Sequence, residues 1–225
     1  MSKVRTKSWV MAAAVALVAA LLWIFWNVCR RSRRPVTFRE FLEKQRERYD
    51  ITEGSMVPAE VRYMRHLLRS RPDITRVVEI GFNGGLSSAA ILSSRPDITV
   101  VSFDLGKWDY VPKAKALIDE CFPGRHTLVL GDSTKTVPEH AAQHVGAFDL
   151  AFVDGGHTAP VPELDIRNIL PYIRRGGLLL MDDYCPAYGS EGVIQAYDAA
   201  VERGWLRTVD GPMLSGDRGW VLGSK

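Results

Sequence analysis

Val78-Glu79-Ile80-Gly81-Phe82-Asn83-Gly84-Gly85 is an apolar run that carries an acid and breaks into a glycine turn. Two later segments share this shape: Phe152-Val153-Asp154-Gly155-Gly156-His157 and Leu179-Leu180-Met181-Asp182-Asp183-Tyr184. Each reads as a strand whose carboxyl end bears polar chemistry. In an open parallel α/β sheet, ligands bind outside those ends. The three segments therefore offer Glu79, Asp154, His157, Asp182 and Asp183 to one crevice. A glycine turn there suits a nucleotide-like cofactor, and clustered carboxylates suit a hard metal ion or a hydroxylated substrate.

Around these segments, strands alternate with helical stretches from about residue 74 onward. Strands are expected near 76–80, 98–103, 126–130, 149–153 and 177–182, and helices near 85–94, 112–121, 134–144, 160–174 and 190–203. This alternation predicts βαβ units and a doubly wound, Rossmann-like, mostly parallel sheet. Strands at 206–210 and 218–222, joined by Gly211-Pro212 to Gly216, predict seven strands in all and an antiparallel ending. Upstream, 36–50 reads as a charged linker helix with Phe38, Phe41 and Leu42 on one side. A second amphipathic helix at 59–70 presents Val61, Met64, Leu67 and Leu68.

The formal charge of +3 is unevenly spread. Residues 1–48 hold 11 Lys/Arg against 3 Asp/Glu, and the remainder holds 18 against 23. The folded part is thus mildly acidic, which argues against a nucleic-acid partner. The three cysteines, Cys29, Cys121 and Cys185, fit neither a zinc motif nor a disulfide framework. Trp9 to Val28 is a run of twenty residues with Asn27 as its one clearly polar member. Such a run is long enough to span a bilayer as a helix, and basic residues flank both ends. It predicts a single-pass membrane anchor in preference to a cleaved signal peptide, with Cys29 at the membrane edge. The slightly more basic C-terminal flank favours a cytoplasmic domain, and the opposite orientation stays open. The expected organisation is a basic tail at 1–8, an anchor at 9–28, a juxtamembrane linker and helix at 29–54, and a catalytic domain at 55–225.

The glycine turn has Glu-x-Gly-x-x-x-Gly spacing, with Asn83 where a dinucleotide fingerprint has its second glycine. Asp104 ends the next strand, about twenty residues on, where an acid can accept hydrogen bonds from ribose hydroxyls. Gly131-Asp132-Ser133 ends the third strand and either reaches an adenine edge or caps the following helix.

Together these residues resemble the class I S-adenosylmethionine-dependent methyltransferases over about 55–222. The motifs at 152–157 and 180–184 are similar to those of the metal-dependent small-molecule O-methyltransferases, especially the branch with cephalosporin hydroxylase and macrolide-sugar methyltransferase domains. The resemblance implies Mg²⁺, or another hard divalent cation, held by Asp154, Asp182 and Asp183, with His157 as base beside Asp154. It implies S-adenosylmethionine bound by Glu79, Gly81, Asn83, Gly85, Ser87, Asp104, Asp132 and Ser133, with Ser55-Met56 bordering the cofactor. Two departures stand out. Glu-Asp or Asp-Asn is commoner at the Asp182-Asp183 position, and His-Ser/Thr-Tyr is common where this chain has His157-Thr158-Ala159.

The expected activity is methyl transfer to a hydroxyl of a small-molecule acceptor. Trp108, Tyr110, Tyr184 and Tyr188 are either acceptor-pocket residues or loop anchors. His66, His126, His140 and His144 read as structural or surface residues. Two alternatives stay open: a NAD(P)-dependent oxidoreductase on a similar sheet, and a non-catalytic tethered cofactor-binding domain. Homo-oligomerisation is also left open.

Overall fold

The computed structural model describes residues 34–52, 54, 56–141, 144–186 and 190–225. Within them Val36–Lys225 forms one compact unit. Two helices lead in, α1 (Phe38–Arg48) and α2 (Pro58–Ser70). Then follow β1 (Arg76–Ile80), α3 (Leu86–Leu92), β2 (Thr99–Asp104), α4 (Val111–Cys121), β3 (His126–Leu130) and α5 (Ser133–Ala141). The second half contains β4 (Phe148–Val153), α6 (Val161–Ile169), β5 (Ile173–Met181), α7 (Glu191–Glu202), β6 (Arg207–Ser215) and β7 (Arg218–Ser224).

The seven-stranded sheet has the order β3-β2-β1-β4-β5-β7-β6. β1 to β5 pair in parallel, and β7 lies antiparallel to both β5 and β6. Strand order reverses between β1 and β4, so the crevice of a doubly wound sheet opens there.

Alternation along the strands feeds two cores. Val77, Leu150, Phe152, Leu178 and Leu180 face α1 to α4. Val78, Ile80, Ala151, Val153, Leu179 and Met181 face α5 to α7. Both faces are covered, which is why these strands read as continuous apolar runs rather than as alternating ones. α1 is part of the first core. It starts with a capping box of Thr37 and Glu40, and it buries Phe38, Phe41 and Gln45. The expected solvated linker helix is therefore a packed element.

Other expectations shift locally. α6 ends at Ile169 and gives way to a short 3₁₀ turn at Leu170–Tyr172, because Pro171 cannot donate into a continuing helix. β5 begins at Ile173, four residues earlier than expected. Its register with β4 jumps across Arg174–Gly177, where Gly176 adopts φ +72°. Gly211-Pro212 lies inside β6, not in the hairpin turn, and shifts the register with β7. An edge strand tolerates a proline there, and the turn falls at Gly216 instead, with φ +67°.

The membrane expectation is corrected. Among the described residues no helix is long and apolar enough to cross a membrane. α2 is the longest, with 13 residues. It spans roughly 20 Å, well short of a bilayer core of about 30 Å. The segment Trp9–Val28 on which that expectation rested lies outside the described residues.

Candidate functional site

The glycine turn after β1 is held from several sides. Gly81 takes φ +93° and Gly85 φ +76°, and Asn83 is left-handed at φ 47°. Asp104, at the end of β2, accepts hydrogen bonds from the backbone N–H groups of Phe82 (3.0 Å) and Asn83 (2.8 Å) through Oδ2. Its Oδ1 accepts from Gly106 N–H at 2.7 Å. Asn83 Nδ2 donates to the Gly54 carbonyl at 2.8 Å, and the Tyr110 hydroxyl donates to Asn83 Oδ1 at 2.6 Å. Behind the turn, the rings of Trp108, Tyr110 and Tyr49 stack in series, and the Tyr49 hydroxyl donates to Gly84 O at 3.0 Å. Trp108 and Tyr110 thus act as anchors of the turn.

Glu79 lies deeper than a cofactor-facing residue. It is fully buried beneath α3, where the hydroxyls of Ser88 and Ser102 donate to Oε2 while Oε1 has no partner. Burial pushes its pKa up, although hydrogen bonds from Ser102, Ser87 and Ser88 pull the other way. His126 joins this cluster through Ser102 at 2.9 Å, and burial lowers its pKa to about 4. Asp132 caps α5 by accepting from Thr134 N–H and Oγ1, and Ser133 Oγ donates to buried Asp165 at 2.7 Å. The geometry therefore uses these two residues locally. Exposed Leu105 and Leu130 follow and end the neighbouring strands β2 and β3, beside Asp104.

The second part of the site lies across the switch point. Asp154 follows β4, and its N–H donates to the Ile80 carbonyl at 2.9 Å. Asp182 follows β5, and its N–H donates to the Val153 carbonyl at 3.0 Å. Ligand atoms of Asp154, His157 and Asp183 lie within 4.8 Å of one another. This trio includes His157 in place of the expected Asp182. The Asp182 carboxylate is turned to its neighbour, with Oδ1 accepting from the Asp183 N–H at 2.7 Å. Asp183 has φ 54°, a left-handed conformation that a non-glycine residue holds only when its surroundings fix it.

His157 Nε2 lies 2.7 Å from Asp183 Oδ2, and Arg218 Nη1 donates to Asp183 Oδ1 at 3.0 Å. Burial disfavours the Asp183 charge, but His157 and Arg218 outweigh it and hold this carboxyl below its usual range. The hydrogen bond to Asp183 in turn raises the His157 pKa. At Asp154 and Asp182, burial and the neighbouring acids outweigh Arg218, which also favours their charge. Enclosure by protein, and then the charges of Asp182 and Asp183, raise Asp154 well above its usual value. Burial and the Asp183 charge raise Asp182 to about 7.

Two contributors were missed in the sequence. Arg218 comes from β7 and has no local signal. Glu60 comes from the first turn of α2, is 2% exposed, and is pushed up to about 10 by burial and by Asp182 and Asp154. Its signal was available: Glu60, Met64 and Leu68 form the buried i, i+4, i+8 stripe. Tyr184 is a loop anchor, since its hydroxyl donates to Asp198 at 2.7 Å. Ser55 and Tyr188 lie outside the described residues.

A glycine turn at a switch point, facing an acidic crevice between β4 and β5, is the layout of a cofactor site in a doubly wound α/β fold. Residues 78–184 match the family described as "Methyltransferase domain". A curated relative is the 8-demethyl-8-(2-methoxy-alpha-L-rhamnosyl)-tetracenomycin-C 3'-O-methyltransferase of Streptomyces olivaceus, 27% identical over 145 residues. That alignment covers 60% of this chain and 35% of the relative, so the chain spans about a third of the relative's length. Among solved structures, an O-methyltransferase from Bacillus cereus in complex with SAH is similar, with a TM-score of 0.69 and 14% identity over 85% of this chain and 92% of that one. CalS11, a TDP-rhamnose 3'-O-methyltransferase of calicheamicin biosynthesis, has a TM-score of 0.59 and 20% identity over 72% of this chain and 78% of its own.

Proposed function

We propose that this chain is an S-adenosylmethionine-dependent O-methyltransferase, assisted by a divalent cation, acting on a hydroxyl of a small-molecule acceptor. The observation that carries this reading is the convergence of Asp154, His157 and Asp183 beside the glycine turn. An oxygen-rich donor set suits Mg²⁺ or Mn²⁺ better than zinc. The raised carboxyls of Asp154 and Asp182 fit a place where positive charge is wanted. When bound, S-adenosylmethionine supplies an electrophilic methyl carbon, and a divalent cation acidifies an acceptor hydroxyl.

The residues divide the remaining work. Asp104 fixes the glycine turn and, with exposed Leu105 and Leu130, offers a polar and apolar edge suited to a nucleoside. Asp154 and Asp183, whose ligand atoms converge, would hold the cation, with Asp182 bracing Asp183 from behind through the Asp183 backbone N–H. With the Nε2–H tautomer donating to Asp183, Nδ1 of His157 is left as the proton acceptor. With the methyl group supplied by bound S-adenosylmethionine, His157 Nδ1 would take the proton that the acceptor hydroxyl gives up. Alignment of oxygen, carbon and sulfur supplies much of the rate.

Both sugar-related neighbours carry rhamnose 3'-O-methylation in their names, so deoxysugar hydroxyls are the first acceptors to try. The test is calorimetry on the full chain, titrating S-adenosylmethionine with and without Mg²⁺, beside Asp154→Asn. Cofactor binding that survives in the variant, with Mg²⁺ heat and methyl transfer both lost, is expected. A folded chain that binds no S-adenosylmethionine overturns the reading. Methyl transfer unchanged by EDTA removes the metal from it.

A further inference from the structure

Glu60 reaches the acidic crevice from a helix, whereas the other acids come from strand ends. On α2 it occupies the stripe that Met64 and Leu68 continue into the core. An ionisable group at such a place costs several kcal/mol unless something compensates it. The charged groups that act on it most strongly are Asp182, Asp154 and Asp183, all acids. Its carboxyl shares a hydrogen bond with Asp182, yet its buried Oε1 has no partner at all. A purely structural carboxyl would turn that oxygen to a donor, and an apolar residue would serve the stripe better. A cation between Glu60 and the strand-end acids would supply what both sides lack.

We propose that Glu60 is a further ligand of the divalent-cation site, so that the bound ion ties α2 to the carboxyl ends of β4 and β5. This rests on the metal-assisted reading above and adds a residue to it. It also links the ion to the cofactor side. The segment just before α2 includes Gly54, whose carbonyl accepts from Asn83 in the glycine turn.

The test needs no acceptor and no turnover. Mn²⁺ is titrated into the full metal-free chain, and its affinity is compared among wild type, Glu60→Gln, Glu60→Leu and Asp154→Asn. Glu60→Gln keeps the shape and removes the charge. Glu60→Leu extends the apolar stripe and is expected to raise the melting temperature of the metal-free chain. Both Glu60 variants are expected to weaken Mn²⁺ by about 10- to 100-fold, the range seen when support of a metal site is removed. Hydrogen exchange gives the second readout. In wild type, Mn²⁺ is expected to protect amides at 58–64 as well as at 154–157 and 182–184, and in Glu60→Gln only at the latter two. Wild-type affinity in either Glu60 variant, with binding lost in Asp154→Asn, overturns the role of Glu60 and leaves the metal reading standing. A wild-type chain that binds no Mn²⁺ overturns both.

Discussion

Gly81 and His157 show how single residues carry the site. At Gly81 the backbone is left-handed, and a Cβ built there would lie 1.9 Å from the Asp154 carbonyl oxygen. That oxygen belongs to the backbone at the end of a central strand and cannot move aside. Gly81→Ala is therefore expected to lose about 3 kcal/mol or more, from the strained conformation plus the clash. Thermal unfolding of the variant measures this loss, and a melting temperature equal to wild type would refute the argument. His157 tests chemistry in place of packing. General-base catalysis is typically worth about 10²- to 10⁴-fold. His157→Gln is expected to lower kcat within that range while calorimetry finds S-adenosylmethionine affinity unchanged. A fall in cofactor affinity with kcat intact would remove His157 from the proton path.

At the scale of elements, α1 separates what holds the fold from what decorates it. Phe41 on α1 is fully buried against Phe122 at 6.2 Å, whereas Lys44 and Arg48 pair with Glu120 at the surface. Phe41→Ala is expected to cost about 3–5 kcal/mol. Glu120→Gln is expected to change urea unfolding little, because exposed ion pairs are screened by water and salt. Equal losses in the two variants would show that α1 is held by charge and not by its apolar stripe. The strand ends of β1, β4 and β5 were legible because strands buried on both faces leave unbroken apolar runs that stop at an acid. On α1 the apolar side with Phe38 and Phe41 is legible, but the surrounding charge suggests a solvated linker, and the burial of Gln45 in the same stripe is not marked. The start of β5 and the course of β6 were obscured by Gly176 and Pro212, which sit in bulges that resemble turns in sequence. The site was half legible for a related reason. Asp154, His157 and Asp183 lie close along the chain or at matched strand ends. Arg218 arrives through tertiary packing that no local pattern encodes, and Glu60 is marked only as the first member of the stripe with Met64 and Leu68.

For the molecule as a whole, the crevice concentrates acids whose charge the fold resists, and this makes stability depend on pH and on cation together. Asp182 rises to about 7 and Glu60 to about 10, from usual values of 3.8 and 4.5, and Asp154 rises as well. A carboxyl raised in this way binds its proton more tightly in the folded chain than in the unfolded one. Its contribution to stability is complete below pH 4 and is lost as pH climbs toward the folded value. His157, raised by Asp183, acts in the same direction above about pH 6.5. Asp183 is held low and stays charged through this range, so it adds no slope there. The metal-free chain is therefore expected to lose stability between pH 5 and pH 8. A divalent cation favours the same carboxyls in their ionised form, so its benefit grows as protons leave. The rise in melting temperature on adding excess Mg²⁺ should be larger at pH 8 than at pH 5 in the full chain, read by scanning fluorimetry. Asp182→Asn removes one of the titrating groups and should shrink that difference. An equal rise at both pH values would mean that Mg²⁺ acts elsewhere than on these raised carboxyls.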